Sequence, residues 1–165
     1  MPILPDVLEK GLKVVFCGTA VGNRSAKNAA YYADKRNQFW AVLRRVGLTS
    51  RELKSREFRE LLRYGIGLTD LVKKQSGTDY DLNSGQSDIA SFALKIERFA
   101  PRVVAFNGKE SAKRVYGRRE VKYGRQRGKI ELSEIFVLPS TSGSARKYWD
   151  ESCWRELAEF VSAGH

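Results

Sequence analysis

The feature that most constrains the fold is an unbroken apolar run followed at once by a glycine-rich turn. Residues 14–17 (VVFC) lack the alternation of a half-exposed strand, which predicts a β-strand covered on both faces. Gly18 and Gly22 then allow the backbone to turn tightly and to approach a ligand closely. Because ligands in α/β proteins bind at the carboxyl ends of parallel strands, residues 17–26 are the first candidate site. A plain strand-to-helix connection would show the same pattern.

Strand-like and helix-like segments alternate along the rest of the chain. Two more buried strands are predicted at 102–107 and 134–140, the second preceded by a hairpin-like stretch. Helices are predicted at 37–46, after Ser50, at 89–100 and at 148–161, while 64–72 is predicted as a turn with a short extended piece and 75–84 as a loop. This order is typical of an α/β protein. We predict a three-layer α/β/α sandwich with a central, mostly parallel, four-stranded sheet, in one domain spanning residues 1–165.

Positive charge dominates the composition and is concentrated in one segment. The chain has 30 Lys and Arg against 19 Asp and Glu, a formal net charge of +11. Between residues 109 and 129, nine basic residues stand against Glu110 and Glu120, a net charge of +7. Such a field favours polyanions, of which nucleic acid is the commonest. The alternative is a surface charge that serves solubility alone.

The rarity of cysteine and histidine excludes several kinds of site. Cys17 and Cys153 lie far apart without a CxxC motif, which argues against a four-cysteine iron–sulfur cluster or a conventional zinc site, and we expect no cofactor. The only histidine is His165, the last residue, so a histidine general base inside the fold is excluded. Catalysis by this chain would therefore use carboxylates, hydroxyls, amides, backbone donors or lysine.

No apolar stretch approaches the roughly 20 residues that a membrane span needs. The first residues, MPILPDVLEKGLK, also lack the basic region and apolar core of a signal peptide. We therefore expect no membrane partner and a cytoplasmic, intracellular protein, associated with the nucleoid if it is bacterial.

Three predicted strand ends should meet at one edge of the sheet, at 17–26, 106–109 and 139–146. The crevice between them would be lined by Asn107 and small hydroxyl residues, flanked by Tyr31 and Tyr32, and rimmed with Arg and Lys. An aromatic ring beside an amide suits a planar ring with adjacent donors and acceptors, and a basic rim suits phosphates. The combination favours a base extruded from a nucleic-acid strand.

Five blocks, in this order, carry a resemblance to a known family: 14–26 (VVFCGTAVGNRSA), 36–40 (RNQFW), 64–72 (YGIGLTDLV), 102–109 (RVVAFNGK) and 137–146 (VLPSTSGSAR). Together they resemble the mismatch-specific uracil-DNA glycosylase and thymine-DNA glycosylase branch of the uracil-DNA glycosylase superfamily. The resemblance implies the α/β/α glycosylase fold and hydrolysis of the N-glycosidic bond of uracil in DNA, by base flipping, at the start of base-excision repair. It also implies a monomer whose partner is single- or double-stranded DNA.

The resemblance further implies roles for individual residues. Tyr32 takes the place of the aromatic residue that stacks on the flipped base, and the backbone at Gly18 and Thr19 would contact base carbonyls. Asn107 and Lys109 belong to the middle strand-end motif and are expected to bind the substrate. The expected DNA contacts lie in the first motif and in the loop that enters the helix where the base left: Ser25, Ser142, Ser144 and Arg146.

The first motif departs from that family in a way that bears on catalysis. Ala20 stands where branch members have a water-orienting Asn, and a methyl group can neither orient nor deprotonate water. Another branch with Ala at this place uses an Asp further along the motif, and this chain resembles it in having Asp34 two residues after Tyr32. Asp34 is therefore the candidate catalytic carboxylate, with Ser140 as a donor to the leaving base.

Other interpretations of these residues stay open. Asp34 could instead cap a helix or pair with Arg36 or Lys35, and the catalytic role requires that it face the pocket. The rival functions are a non-catalytic module that binds damaged DNA with the same fold, and an unrelated nucleotide-binding α/β protein. The second is disfavoured because the first turn is neither a P-loop nor a dinucleotide fingerprint.

Overall fold

The computed structural model describes residues 4–76 and 85–164 and contains a five-stranded sheet with helices on both faces. Its elements follow in the order β1 (Val14–Val21), α1 (Asn23–Asn28), α2 (Phe39–Arg45), a 3-10 helix (Ser55–Tyr64), β2 (Ile66–Ser76), α3 (Gly85–Phe99), β3 (Val103–Asn107), α4 (Lys109–Tyr116), β4 (Gly124–Ile130), β5 (Ser133–Leu138), a second 3-10 helix (Gly143–Tyr148) and α5 (Glu151–Ser162). None of the described helices is long and apolar enough to cross a membrane.

The strands are arranged in the order β2-β1-β3-β5-β4. The first three pairings are parallel and only β4 runs antiparallel to its neighbour β5. The predicted three-layer α/β/α fold with a mostly parallel sheet is confirmed. The sheet has five strands and not four, because the predicted hairpin-like stretch forms a full edge strand that pairs with β5.

Both faces of β1 are buried, which explains its unbroken apolar run. Residues 14–17 are completely inaccessible to solvent. Phe16 stacks on Trp154 at 5.4 Å between ring centroids and meets Phe39 edge-on at 5.3 Å. Cys17 points to the opposite face, into a second apolar cluster that includes Phe106. Each such large apolar side chain contributes about 1.5–3 kcal/mol through burial, so β1 anchors both layers.

Several elements differ in extent from the predictions. β2 is an eleven-residue strand and not a short extended piece, and it begins after Gly65, whose φ of 74° ends the 3-10 helix. That 3-10 helix replaces the α-helix predicted after Ser50. In the predicted loop at 75–84, residues 75–76 belong to β2 and 77–84 lie outside the described residues.

Gly67 in β2 has no room for a side chain. A Cβ atom there would lie 2.6 Å from the carbonyl oxygen of Val7 and 2.7 Å from Cδ1 of Leu12. Val7 cannot yield easily, because it exchanges two backbone hydrogen bonds of 2.9 Å with Leu68. We expect Gly67→Ala to lower the free energy of unfolding by about 1–3 kcal/mol, measured by urea denaturation.

Gly128→Ala is the matched control, since Gly128 lies in a strand with no atom within 4 Å of its Cβ position. It should leave stability unchanged or slightly raised. A Gly67→Ala protein as stable as the wild type would show that the segment around Val7 is not fixed against β2.

Candidate functional site

The described residues enclose a pocket of about 360 Å³ at the carboxyl edge of the sheet. The ends of β1, β3 and β5 meet there, and β2 adds a fourth wall through Asp70. Most of the residues predicted to form the site border this pocket: Gly18, Thr19, Ser25, Tyr32, Asp34, Asn107, Ser140, Ser142 and Ser144.

Strand register brings three of the lining residues onto one face of the sheet. Gly18 is paired with Asp70 across β1 and β2, and Asn107 follows Phe106, which is paired with Cys17. Since side chains alternate along strands, Gly18, Asp70 and Asn107 all project on the side opposite Cys17. They form the floor of the pocket.

Asp70 is the buried acid of this floor. Only 4% of it is exposed, and Nζ of Lys73 lies 3.3 Å from Oδ2. A Cβ atom at Gly18 would lie 3.1 Å from Oδ1 of Asp70 and 3.6 Å from the hydroxyl of Tyr32, so the absent side chain leaves a gap between these two polar groups. Burial raises the pKa of Asp70, and the charge of Lys73 only partly offsets this effect.

A partly buried ion network holds Lys73 in place behind the pocket. Its ammonium lies 3.1 Å from Oδ1 of Asp6 and donates a 3.0 Å hydrogen bond to the hydroxyl of Tyr31. Lys95 contacts the other oxygen of Asp6 at 2.7 Å. The Asp70 carboxylate is therefore fixed through contacts that extend away from the pocket, and not by its own strand alone.

Tyr32 forms an aromatic wall. Its ring stacks on Phe39 with centroids 4.1 Å apart, and its backbone has a φ of 52°, uncommon for a residue other than glycine. Its hydroxyl is buried and has no hydrogen-bond partner in the part of the chain that the structure describes. Burial, and then the nearby Asp70, raise the pKa of Tyr32, which keeps the hydroxyl protonated.

Asn107 and Ser140 lie where two strand ends meet. Nδ2 of Asn107 donates to Oγ1 of Thr141 at 3.0 Å, and the backbone N–H of Thr141 donates to Oδ1 of Asn107 at 3.1 Å. Asn107 thus fastens the loop after β5 to β3. Oγ of Ser140 accepts a hydrogen bond from the backbone N–H of Ser142 at 3.2 Å, which leaves its own proton available to a ligand.

Asp34 lies at the pocket rim and is bonded to Arg36. Nε and Nη2 of Arg36 each lie 3.2 Å from one carboxylate oxygen, and the backbone N–H of Arg36 donates to Oδ1 at 2.9 Å. These contacts lower the pKa of Asp34 to about 2, so it is ionised at neutral pH. The pairing with Arg36, one of the alternatives in the sequence, is therefore present, and the carboxylate still borders the pocket.

Two predicted residues lie outside the pocket. Lys109 was expected to bind the substrate, but Gly108, with a φ of 103°, turns the chain away from β3, and Nζ of Lys109 lies 4.2 Å from the ring centroid of Tyr123. Arg146 donates to the backbone oxygen of Arg36 at 3.4 Å and does not line the pocket.

The sequence predictions missed Asp70, Thr141 and Asn37, all of which line the pocket. Oδ1 of Asn37 accepts a 3.0 Å hydrogen bond from the backbone N–H of Phe39, at the start of α2. The sequence pattern could have identified Asp70, because it is an acid flanked by apolar residues in GIGLTDLV. A carboxylate is costly to bury unless it has a charged or hydrogen-bonding partner, so an acid in such a segment indicates a functional or paired group.

Comparison with known proteins agrees with this architecture. Residues 5–159 match the family model of the uracil DNA glycosylase superfamily. The fold is similar to the solution NMR structure of a candidate uracil DNA glycosylase from Methanosarcina acetivorans, with a TM-score of 0.60, 20% sequence identity and 96% of each chain covered. Since the family match spans all five strands and the pocket at their carboxyl edge, this chain belongs to the uracil DNA glycosylase superfamily and has a function of the DNA glycosylase type.

Proposed function

We propose that this protein is a monofunctional uracil-DNA glycosylase of the mismatch-specific branch, which hydrolyses the N-glycosidic bond of a flipped uracil. The observation that carries the proposal is a pocket whose polar groups are sorted by depth. A buried acid, Asp70, forms the floor, and an ionised acid, Asp34, lies at the rim beside Arg36. The volume of the pocket, about 360 Å³, falls in the range of small-molecule sites.

This sorting by depth suits a base that enters from a DNA strand. The edge of the base farthest from the sugar would reach the floor, while the sugar and phosphates would remain at the mouth. Oδ1 of Asp70 can accept a hydrogen bond from the ring N–H of uracil, which lies between two carbonyl groups. Cytosine has an unprotonated nitrogen at that position, so its lone pair would face the carboxylate. A flipped base would be held against the ring of Tyr32.

At the rim, Asp34 would act on the sugar. As the glycosidic bond breaks, its electron pair leaves with the base and the sugar gains oxocarbenium character, which an ionised carboxylate stabilises. Water then forms the new bond to the sugar carbon and gives up a proton, for which Asp34 is the acceptor. Ser140 donates a hydrogen bond to a carbonyl of the departing base.

The contact with Arg36 does not prevent this role. Exposed ion pairs contribute little to stability because water competes for both charges, and the Arg36 side chain is 75% exposed. Its guanidinium can therefore leave Asp34 for a DNA phosphate, a ligand that arginine binds through paired hydrogen bonds.

The second candidate function is a non-catalytic module that binds damaged DNA. Ala20 in the first motif and the Asp34–Arg36 pair favour it. It predicts affinity for DNA without release of base.

One assay separates the two functions. The protein is incubated with labelled single- and double-stranded oligonucleotides that contain uracil, and the products are treated with alkali, which cleaves the strand where a base has been lost. We expect cleavage at uracil in both. Parallel oligonucleotides with thymine mismatches, hypoxanthine and xanthine define the base specificity. Binding without cleavage in every case would contradict the enzymatic function and support the non-catalytic DNA-binding module.

Tyr32 is expected to help exclude thymine. With Tyr32→Ala, the ring that holds the base in one plane is lost, so the base can shift and make room for the 5-methyl group. The ratio of uracil to thymine excision should then fall about tenfold or more, since one methyl group in a tight pocket is worth about 1–3 kcal/mol. The ratio is measured on matched oligonucleotides under single-turnover conditions.

Tyr32→Phe is the control, because it keeps the ring and its stacking on Phe39. It should retain the selectivity and be at least as stable as the wild type, since the hydroxyl it removes is buried without a partner in the described chain. An unchanged ratio in folded Tyr32→Ala would contradict contact between Tyr32 and the base.

A further inference from the structure

A second concave surface lies beside α4, outside the pocket. It has a volume of about 840 Å³ and is bounded by α4 on one side and, on the other, by residues 118–128, which include the first part of β4. We call it the α4–β4 cleft and define it by Lys109, Lys113, Tyr116, Arg118, Lys122 and Arg127. Among the described residues that line it, Glu120 is the one acid.

The basic residues of this cleft are not neutralised. None of the five basic residues that define it makes a salt bridge within residues 4–76 and 85–164. Three other basic residues of the same segment are paired: Arg114 with Glu110, and Arg125 and Lys129 with Glu134. Unpaired positive charge is thus concentrated where the surface is concave, which favours a polyanionic ligand.

Tyr116 adds an unsatisfied donor. Its hydroxyl is buried without a hydrogen-bond partner among the described residues, and burial raises its pKa, so it keeps its proton. One side of the ring packs on Phe106 and the guanidinium of Arg118 lies 5.5 Å from the ring centroid. Tyr116 lines the cleft, so a small rotation of its ring would bring the hydroxyl to the acceptor oxygens of a ligand and satisfy a donor that is otherwise costly to bury.

We propose that the α4–β4 cleft binds a single-stranded stretch of nucleic acid, separately from the base pocket. Phosphodiester groups match the unpaired cations, and a basic groove with an aromatic residue is the usual form of a single-strand site. The eight residues of α4 extend about 12 Å, which is longer than the spacing of consecutive phosphates. A duplex presents a convex surface, whereas a single strand can enter a concave cleft.

The cleft begins close to the base pocket. Lys109 lines the cleft, and Asn107, two residues earlier, lines the pocket. A strand that leaves the pocket can therefore continue into the cleft. The continuous path from pocket to cleft rests on the proposed function. Binding of a lesion-free strand in the cleft does not depend on that function.

The test compares two triple variants with the same loss of charge. The cleft variant carries Lys113→Gln, Arg118→Gln and Arg127→Gln. The control carries Lys10→Gln, Arg44→Gln and Arg56→Gln at exposed positions outside both cavities. Affinity for lesion-free oligothymidine is measured by fluorescence anisotropy over a range of salt concentrations. In the cleft variant we expect at least a tenfold loss of affinity. The slope of log K against log salt concentration should also become shallower by about 2, because three phosphate contacts are lost and each contributes about 0.7 to the slope.

The control variant should change the slope by less than half as much. Tyr116→Phe, which removes only the hydroxyl, should weaken single-strand binding about threefold or more without loss of stability. Equal losses in the two triple variants, or an equal loss for blunt duplex and single strand, would overturn the proposal. If the wild type released no uracil while the cleft variant lost single-strand affinity, the proposed function would fail and the cleft would stand.

Discussion

Asp34→Asn is expected to lower uracil excision by at least about 100-fold, within the range for loss of an acid–base group. The amide cannot accept the proton of the attacking water and carries no charge to stabilise the sugar cation. Its oxygen can still accept the backbone N–H of Arg36, the 2.9 Å bond that shapes the turn, so the fold should be preserved. The rate is measured by alkaline cleavage of a uracil oligonucleotide under single-turnover conditions.

Asp150→Asn is the matched control. Asp150 is exposed, accepts a 3.0 Å bond from the backbone N–H of Ser152, and has its pKa lowered by that residue, yet it lies outside the pocket. It should excise uracil at the wild-type rate. Near-wild-type excision by Asp34→Asn would show that Asp34 takes no part in the reaction.

Asp70→Asn is expected to reduce kcat/KM for uracil by about 10- to 100-fold, because a hydrogen bond to a charged group is worth about 1.5–3 kcal/mol. The expected loss of discrimination against cytosine distinguishes this role from one in bond cleavage, which would slow all substrates alike. Both bases are tested in otherwise identical oligonucleotides. Unchanged discrimination would contradict contact between Asp70 and the base edge.

The same substitution should not lower stability at neutral pH. Asp70 is buried and its pKa is raised, so the native state holds its proton to higher pH than the unfolded state does. The free energy of unfolding therefore contains a contribution that falls as pH rises from about 4 through the raised pKa. Asp70→Asn lacks this contribution, and Lys73 keeps its contact with Asp6 at 3.1 Å.

We therefore expect the stability of Asp70→Asn, relative to the wild type, to increase between pH 4 and pH 8. Urea denaturation of both proteins across this interval measures the difference. A difference that falls with pH would mean that Asp70 is stabilised as a carboxylate by Lys73 more than it is penalised by burial.

Local pattern was enough to predict the elements that carry most of the fold. The unbroken run 14–17 predicted a strand covered on both faces, and both faces are buried. The alternation of strands and helices predicted a mostly parallel sheet, and the common direction of β1, β3 and β5 then brought their ends to one edge. These features depend on the order and spacing of residues that are close in sequence.

The chemistry inside the pocket depended on contacts that local pattern does not contain. Asp70 is part of the pocket floor because β2 pairs in parallel with β1, which places Asp70 beside Gly18. Lys109 lies outside the pocket because Gly108 turns the chain away from β3. The sequence by itself thus determined the layers, the sheet and the edge where a ligand would bind. Only the tertiary structure decided which acid is buried, because burial depends on neighbours far apart in the chain. The Asp34–Arg36 pair joins residues two apart, and the structure decided only that this pair lies at the pocket rim.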